Sequence, residues 1–175
     1  MLSCSQRNTG ITTIDVDVST QPLVHGEDVL SLISTDSSGI YYRIEAKVQD
    51  YYSNDTTSYW YFPEGIHVEK FDSLFQVNGS VRADTAYNYD KKGLWRLIGN
   101  VLLTNIPEEA ILKTSELFWN SKEPSTSRES IYTEKYFEFK TPTDSATGVG
   151  LKSNLNLSWY TVYQNSFQKE IDEDN

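Results

Sequence analysis

Twenty-three residues, Ala83 to Asn105 (ADTAYNYDKKGLWRLIGNVLLTN), constrain the fold of this chain more than any other stretch. They read as two strands joined by a tight turn at Asp90-Lys-Lys-Gly93. Before the turn, Ala83, Thr85, Tyr87 and Tyr89 share one face, and Asp84, Ala86 and Asn88 share the other. After it, Trp95, Leu97, Val101 and Leu103 alternate with Leu94, Arg96, Ile98 and Leu102. With apolar residues on both faces, this second strand is expected in the middle of a sheet, buried on each side. Gly99-Asn100 interrupts it, and a position without a side chain predicts a bulge or bend.

The pattern returns further along. Leu117-Phe-Trp-Asn120 precedes a second turn, Ser121 to Glu129, and Ile131-Tyr-Thr-Glu-Lys-Tyr-Phe-Glu-Phe139 answers Leu94 to Leu103. That echo decides a conflict between the two hairpins. Local rules favour a helix over Asn105 to Phe118, with Asn105 near a cap position, Pro107 early and Glu108-Glu109 in the first turn. A second copy of the hairpin requires a strand there, with Pro107 to Ala110 as a connecting loop, and strand is the expectation.

The rest of the chain has the same grammar. Val29 to Ser34 and Ile40 to Val48 flank a turn at Thr35 to Gly39. Ile40, Tyr42, Ile44, Ala46 and Val48 share one face, opposite Tyr41, Arg43, Glu45, Lys47 and Gln49. A loop at Asn54 to Ser58 leads to Tyr59-Trp-Tyr-Phe62, a turn at Pro63-Glu-Gly65, and strand again over Ile66 to Phe71. Leu74 to Val77 and Val81 read as strand, with a kink or turn at Asn78-Gly79. Thr141 to Gly150 reads as a turn-rich connection. Leu151 to Tyr163 reads as one alternating strand, with Leu151, Leu155, Leu157 and Trp159 on one face. Short strands separated by turn signals predict an all-β fold, a twisted antiparallel sandwich or open jelly roll. Twelve tyrosines and four tryptophans against one methionine agree with sheet. The domain is expected over residues 27–168. A polar tether, 1–26, precedes it with a possible short strand at Ile14, Val16 and Val18, and a charged tail, 169–175, follows.

Several function classes are excluded or disfavoured. Fifteen basic against twenty-five acidic residues give a net charge of −10, the wrong sign for a nucleic-acid partner. No apolar run is long enough to span a bilayer as a helix. The single cysteine, Cys4, leaves no internal disulfide and no thiolate cluster for zinc. Met-Leu-Ser-Cys4 resembles the end of a bacterial lipoprotein signal, so Cys4 is expected to be a lipidated N-terminus. No catalytic constellation stands out. His25 lies at the domain edge, and His67 with Glu69 reads as a solvated surface pair. Asp84 and Asp90 suit turn and surface roles, no serine sits in a nucleophile elbow, and Gly148-Val-Gly150 lacks the third glycine of a dinucleotide site. The expectation is a non-enzyme without metal or cofactor.

One ordered set of segments resembles a known family. Tyr59-Trp-Tyr-Phe-Pro-Glu-Gly65, Phe71-Asp-Ser-Leu-Phe75 and the run from Ala83 to Val101 are similar to LptC, the periplasmic component of the lipopolysaccharide export machine, and most of all to its Bacteroidetes-type members. Glu116-Leu-Phe-Trp-Asn120, Ile131-Tyr-Thr-Glu-Lys135, Thr147 to Asn154 and Tyr160 continue the pattern in order, so that the resemblance covers Asp28 to Phe167. It implies a V-shaped β-jelly roll, akin to the LptA fold, whose interior carries lipopolysaccharide acyl chains. It also implies a periplasmic location at the inner membrane, docking to the inner-membrane lipopolysaccharide ABC transporter and hand-over to an LptA-like bridge protein. Better-known members anchor through an N-terminal helix. Here lipidated Cys4, or a helix ahead of this sequence, is expected to take that place.

The physics fits such a role. An acyl chain of about fourteen carbons is disfavoured in water by roughly 11 kcal/mol, so it needs a continuous apolar path. Candidate lining residues are Tyr42, Ile44, Ala46, Val48, Phe75, Val77, Val81, Leu102, Leu117 and Phe139. Two other readings compete. A glycan-binding surface lipoprotein would use exposed Trp60, Trp95, Trp119 or Trp159, and a β-sandwich glycosidase would use a pair of carboxylates.

Overall fold

The computed structural model describes residues 21–34, 41–54 and 56–166. Cys4, the possible strand at Ile14 to Val18, the turn at Thr35 to Gly39 and the tail 169–175 lie outside the described residues. The described chain is all strand and turn, and its strands form one antiparallel sheet. They are β1 (Val24–Ser34), β2 (Tyr41–Ser53), β3 (Ser58–Phe62), β4 (Ile66–Phe71), β5 (Val77–Ala83), β6 (Thr85–Tyr89), β7 (Leu94–Asn105), β8 (Ala110–Asn120), β9 (Ile131–Lys140), β10 (Ser145–Ser153) and β11 (Tyr160–Ser166).

The topology is an up-and-down meander. β3 and β4 are two halves of one run broken at Pro63-Glu64-Gly65, and β5 and β6 are halves of another broken at Asp84. Counted so, each run pairs with the next one in sequence, from β1 to β11. β1 and β11 each pair on one side only and form the sheet's two edges.

A crease crosses the sheet. β2 changes partner between Ala46 and Asp50, from β4 to β3. The register of β7 against β8 shifts between Ile98 and Val101, that of β8 against β9 between Thr114 and Phe118, and that of β9 against β10 at Val149/Leu151. Bulges bend strands, and a row of them folds the sheet into two leaves. The first leaf holds β4, β5, the second half of β7 and the first half of β8. The second holds β3, β6 and the other halves of β7 and β8. Their inner faces enclose a common core that includes Ile44, Val68, Val81, Leu103, Leu112 and Phe139 from the first leaf, and Phe62, Ala86, Trp95, Leu97, Leu117 and Ile131 from the second.

Polar groups complete the crease where ladder bonds lapse. Asn100 Nδ2 donates to Asp84 Oδ2 at 2.7 Å, and the Asp84 amide donates to the Gly99 carbonyl at 3.0 Å. The buried Thr114 hydroxyl donates to the Tyr136 carbonyl at 2.9 Å and lies 3.2 Å from Thr133 Oγ1. Gly99 takes φ +77° and Asn100 φ +44°, as the predicted bend requires.

Asn105 to Phe118 is strand, not helix: a turn at residues 106–109 leads into β8. Cross-strand pairing with β7 on one side and β9 on the other outweighs the local helix signals. Other expectations need correction. β7 is central but buried on one face only, and on the other face Leu94, Arg96, Ile98 and Leu102 are half-buried. Arg96 lies along that outer face, pairing with Glu116 at 2.6 Å and resting on the Phe118 ring. Asn78-Gly79 lies inside β5, with Asn78 as the bulged residue opposite Lys70/Phe71. The true turn is Asp72 to Gln76, where Asp72 Oδ1 accepts the Leu74 and Gln76 amides. Ser145 to Gly150 belongs to β10, and Leu151 to Tyr163 is a hairpin rather than one strand. Its turn is built by Asn154, whose Oδ1 accepts the amides of Ser158 and Trp159.

Candidate functional site

The interior between the leaves is the candidate site. Alternation along each strand sets its lining, so sequence determines which residues face inward. At the leaf tips, away from the crease, the interior ends in a cavity of about 40 Å³. Tyr42, Val68, Lys70, Gly79, Val81 and Leu103 line it from the first leaf, and Trp119 and Leu155 from the second side. The leaves touch there. The Tyr42 and Trp119 rings lie 5.7 Å apart, Lys70 Nζ donates to Asn156 Oδ1 at 3.2 Å, and the Phe139 ring meets Tyr160 at 4.5 Å.

The structure brings most of the predicted lining residues together. Ile44, Ala46, Val81, Leu117 and Phe139 are buried in the core, and Tyr42 packs against it at the tips. Val48 is half-buried beside the crease opposite Glu27. Three residues lie elsewhere. Val77, beyond the bulge at Asn78, pairs with Phe71 on the face of β4 opposite to Lys70. Leu102 shares the outward row of β7 with Arg96 and lines shallow outer hollows with Arg82 and Lys113. Phe75 sits in the Asp72 turn at φ +59° and is 64% exposed.

Lys70 is the residue that the candidate lining omitted. It is paired with Tyr42 on β2 and Gly79 on β5, which puts it on the inner row with Ile66 and Val68. Burial depresses its pKa below the ordinary lysine value, and burial likewise pushes the Tyr42 hydroxyl up. The signal was in the sequence: in Ile66-His-Val-Glu-Lys70, the lysine falls on the apolar face.

The competing sites fare differently. Trp95 is buried, Trp60 and Trp119 pack on the core, and Trp159 is half-covered, with the Arg128 guanidinium 4.8 Å from its ring centre. The outer face of the second leaf instead carries Tyr52, Tyr59, Tyr61, Tyr87 and Tyr89. Their rings stack on one another, Tyr61 on Tyr87 at 4.7 Å and Tyr52 on Tyr59 at 5.3 Å. Such cross-strand contacts engage the ring faces that a sugar would need. His67 Nδ1 lies 3.8 Å from Glu45 Oε2 on the outer face, and Glu69 pairs with Arg43. Asp90 accepts from the Ser58 hydroxyl at 2.6 Å, the main cause of its lowered pKa, and from the Lys91 amide. Asp84 bonds across the crease. Asp84 and Asp90 thus hold a bend and a turn, and Glu45 and Glu69 make cross-strand contacts between β2 and β4. Among the described residues no group of three His, Cys, Asp or Glu side chains could hold a metal ion. No protein-family model matches the chain, and none of the curated proteins is similar to it at a significant level.

Proposed function

We propose that the chain is a non-enzymatic lipid carrier that holds acyl chains of lipopolysaccharide between its leaves. It would receive the lipid from an inner-membrane ABC transporter and pass it to an LptA-like bridge. The observation that carries this reading is an apolar interior bounded by two leaves joined through a crease. The sheet is not closed into a barrel, since β1 and β11 each pair on one side only. Flexing at the crease can therefore part the tips without breaking the ladders that run within each leaf. Opening exposes apolar surface, and an acyl chain covers it again, so lipid and closed core are alternative fillings of one space. The sequence resemblance to LptC supports the same reading.

Site-specific photo-crosslinking tests it. A photoreactive residue at Tyr42 is expected to capture lipopolysaccharide, and one at Leu102 or Glu45, on the outer face, is not. Equal capture at all three positions, or none at Tyr42, removes the carrier reading.

A further inference from the structure

We infer that Lys70 is a headgroup clamp, a cation placed at the tips to bind the anionic oxygens of an amphiphile whose acyl chain enters between the leaves. The inference rests on the carrier reading and adds a ligand chemistry to it. Lys70 is the cation of an inner row whose other β4 members are Ile66 and Val68. Its cross-strand neighbour on β5 is Gly79, so the space over the ammonium group is not filled by a side chain from that strand. A Cβ at Gly79 would come within 3.1 Å of the Thr104 carbonyl, so the closely paired backbone favours keeping that position bare.

The ammonium is held but not neutralised. Its partner is the neutral amide oxygen of Asn156, and among the described residues no carboxylate forms an ion pair with it. Asn78 lines the same tip cavity, and its buried Oδ1 has no hydrogen-bond partner among the described residues. A cavity lined by such an acceptor and by a cation without a carboxylate partner suits a ligand that carries both anionic oxygens and hydroxyl donors. Partial burial makes the charge costly alone and strengthens its attraction to an anion that arrives with a dry tail.

Calorimetric titration of the whole protein separates the outcomes. Dodecyl phosphate, neutral dodecyl maltoside and inorganic phosphate are compared on the natural chain and on Lys70→Met, Lys70→Arg and Asn156→Asp, each checked for an unchanged circular dichroism spectrum. The natural chain and Lys70→Arg are expected to bind dodecyl phosphate at least about tenfold tighter than the maltoside. Lys70→Met is expected to lose that preference and keep maltoside binding. Asn156→Asp, which supplies an internal carboxylate to Lys70, is expected to lose it too. Tight binding of inorganic phosphate alone overturns the clamp as a headgroup site. Equal binding of both detergents to the natural chain, or an undiminished preference in Lys70→Met, overturns the clamp but leaves the carrier reading standing. If neither detergent binds, both fall.

Discussion

Gly99 shows how one residue shapes the sheet. Its φ of +77° is costly for any residue with a Cβ, and a Cβ there would lie 2.5 Å from Asp84 Oδ2 and 2.9 Å from Asp84 Cβ. Gly99→Ala is expected to cost about 1–3 kcal/mol, read as a lower urea midpoint with an unchanged slope. Part of that cost is the contact with Asp84, so adding Asp84→Ala to Gly99→Ala should cost less than the two single changes summed. Strict additivity would mean that the two residues do not meet at the crease. The bend itself was legible in the sequence, because a glycine broke an otherwise apolar strand. Its partner was not, since nothing in the spacing of Asp84 and Asn100 announces a hydrogen bond across a fold line.

At the scale of elements, hairpins could be read and offsets could not. The repeat from Leu117 to Phe139 identified β8 and β9 against their helix-like local signals, because alternation survives where capping residues mislead. The β10–β11 hairpin was missed because Leu155 and Leu157 continue the apolar pattern through a turn that Asn154 makes with its own side chain. Leu157 is buried at φ +58°, so the turn packs inward instead of looking polar. The edge strand β1 carries a pH-dependent tie. His25 Nδ1 lies 2.6 Å from Asp50 Oδ1, and this hydrogen bond, followed by that to Glu27, raises the histidine pKa above its ordinary 6.5. A raised pKa means that the tie is fully present below pH 6.5 and fades as pH rises through the folded-state value. Amide exchange in β1, corrected for intrinsic rates, should therefore accelerate relative to β7 as pH rises from below 6.5 through the raised folded-state value. His25→Gln should abolish the difference, and a natural chain whose β1 protection is flat over that range would refute the tie.

For the whole molecule, the all-β antiparallel sandwich was legible from strand spacing, whereas the full set of residues that face its interior was not. Face alternation says which residues share a side; it does not say what that side packs against. Hence Leu102 and Phe75 joined the candidate lining although one points outward and the other sits on a turn, and Lys70 was left out although it points in. The proposed function makes the separation of the leaves its central event. Tyr42→Cys with Leu155→Cys, in a Cys4→Ser background, places one thiol on each side of the tip cavity. Closing them with a short bismaleimide is expected to reduce lipopolysaccharide capture severalfold at an inner photoreactive position such as Ile44, and to raise thermal stability by restricting the unfolded chain. Undiminished capture after complete cross-linking would place the lipid path somewhere other than between the tips.

The meander also governs how such a molecule comes into being. Each run of strand finds its partner in the run made just before it, so no segment waits for a distant stretch of chain before its ladder can begin. Formation can proceed as a zipper in the order of synthesis, with little loop entropy to overcome at any step. The core is different: Tyr42 meets Trp119 across more than seventy residues of chain, and Lys70 meets Asn156 across eighty-six. Ladder growth therefore draws on contacts local in sequence, whereas the joining of the leaves draws on distant ones and carries most of the chain's loop-closure cost.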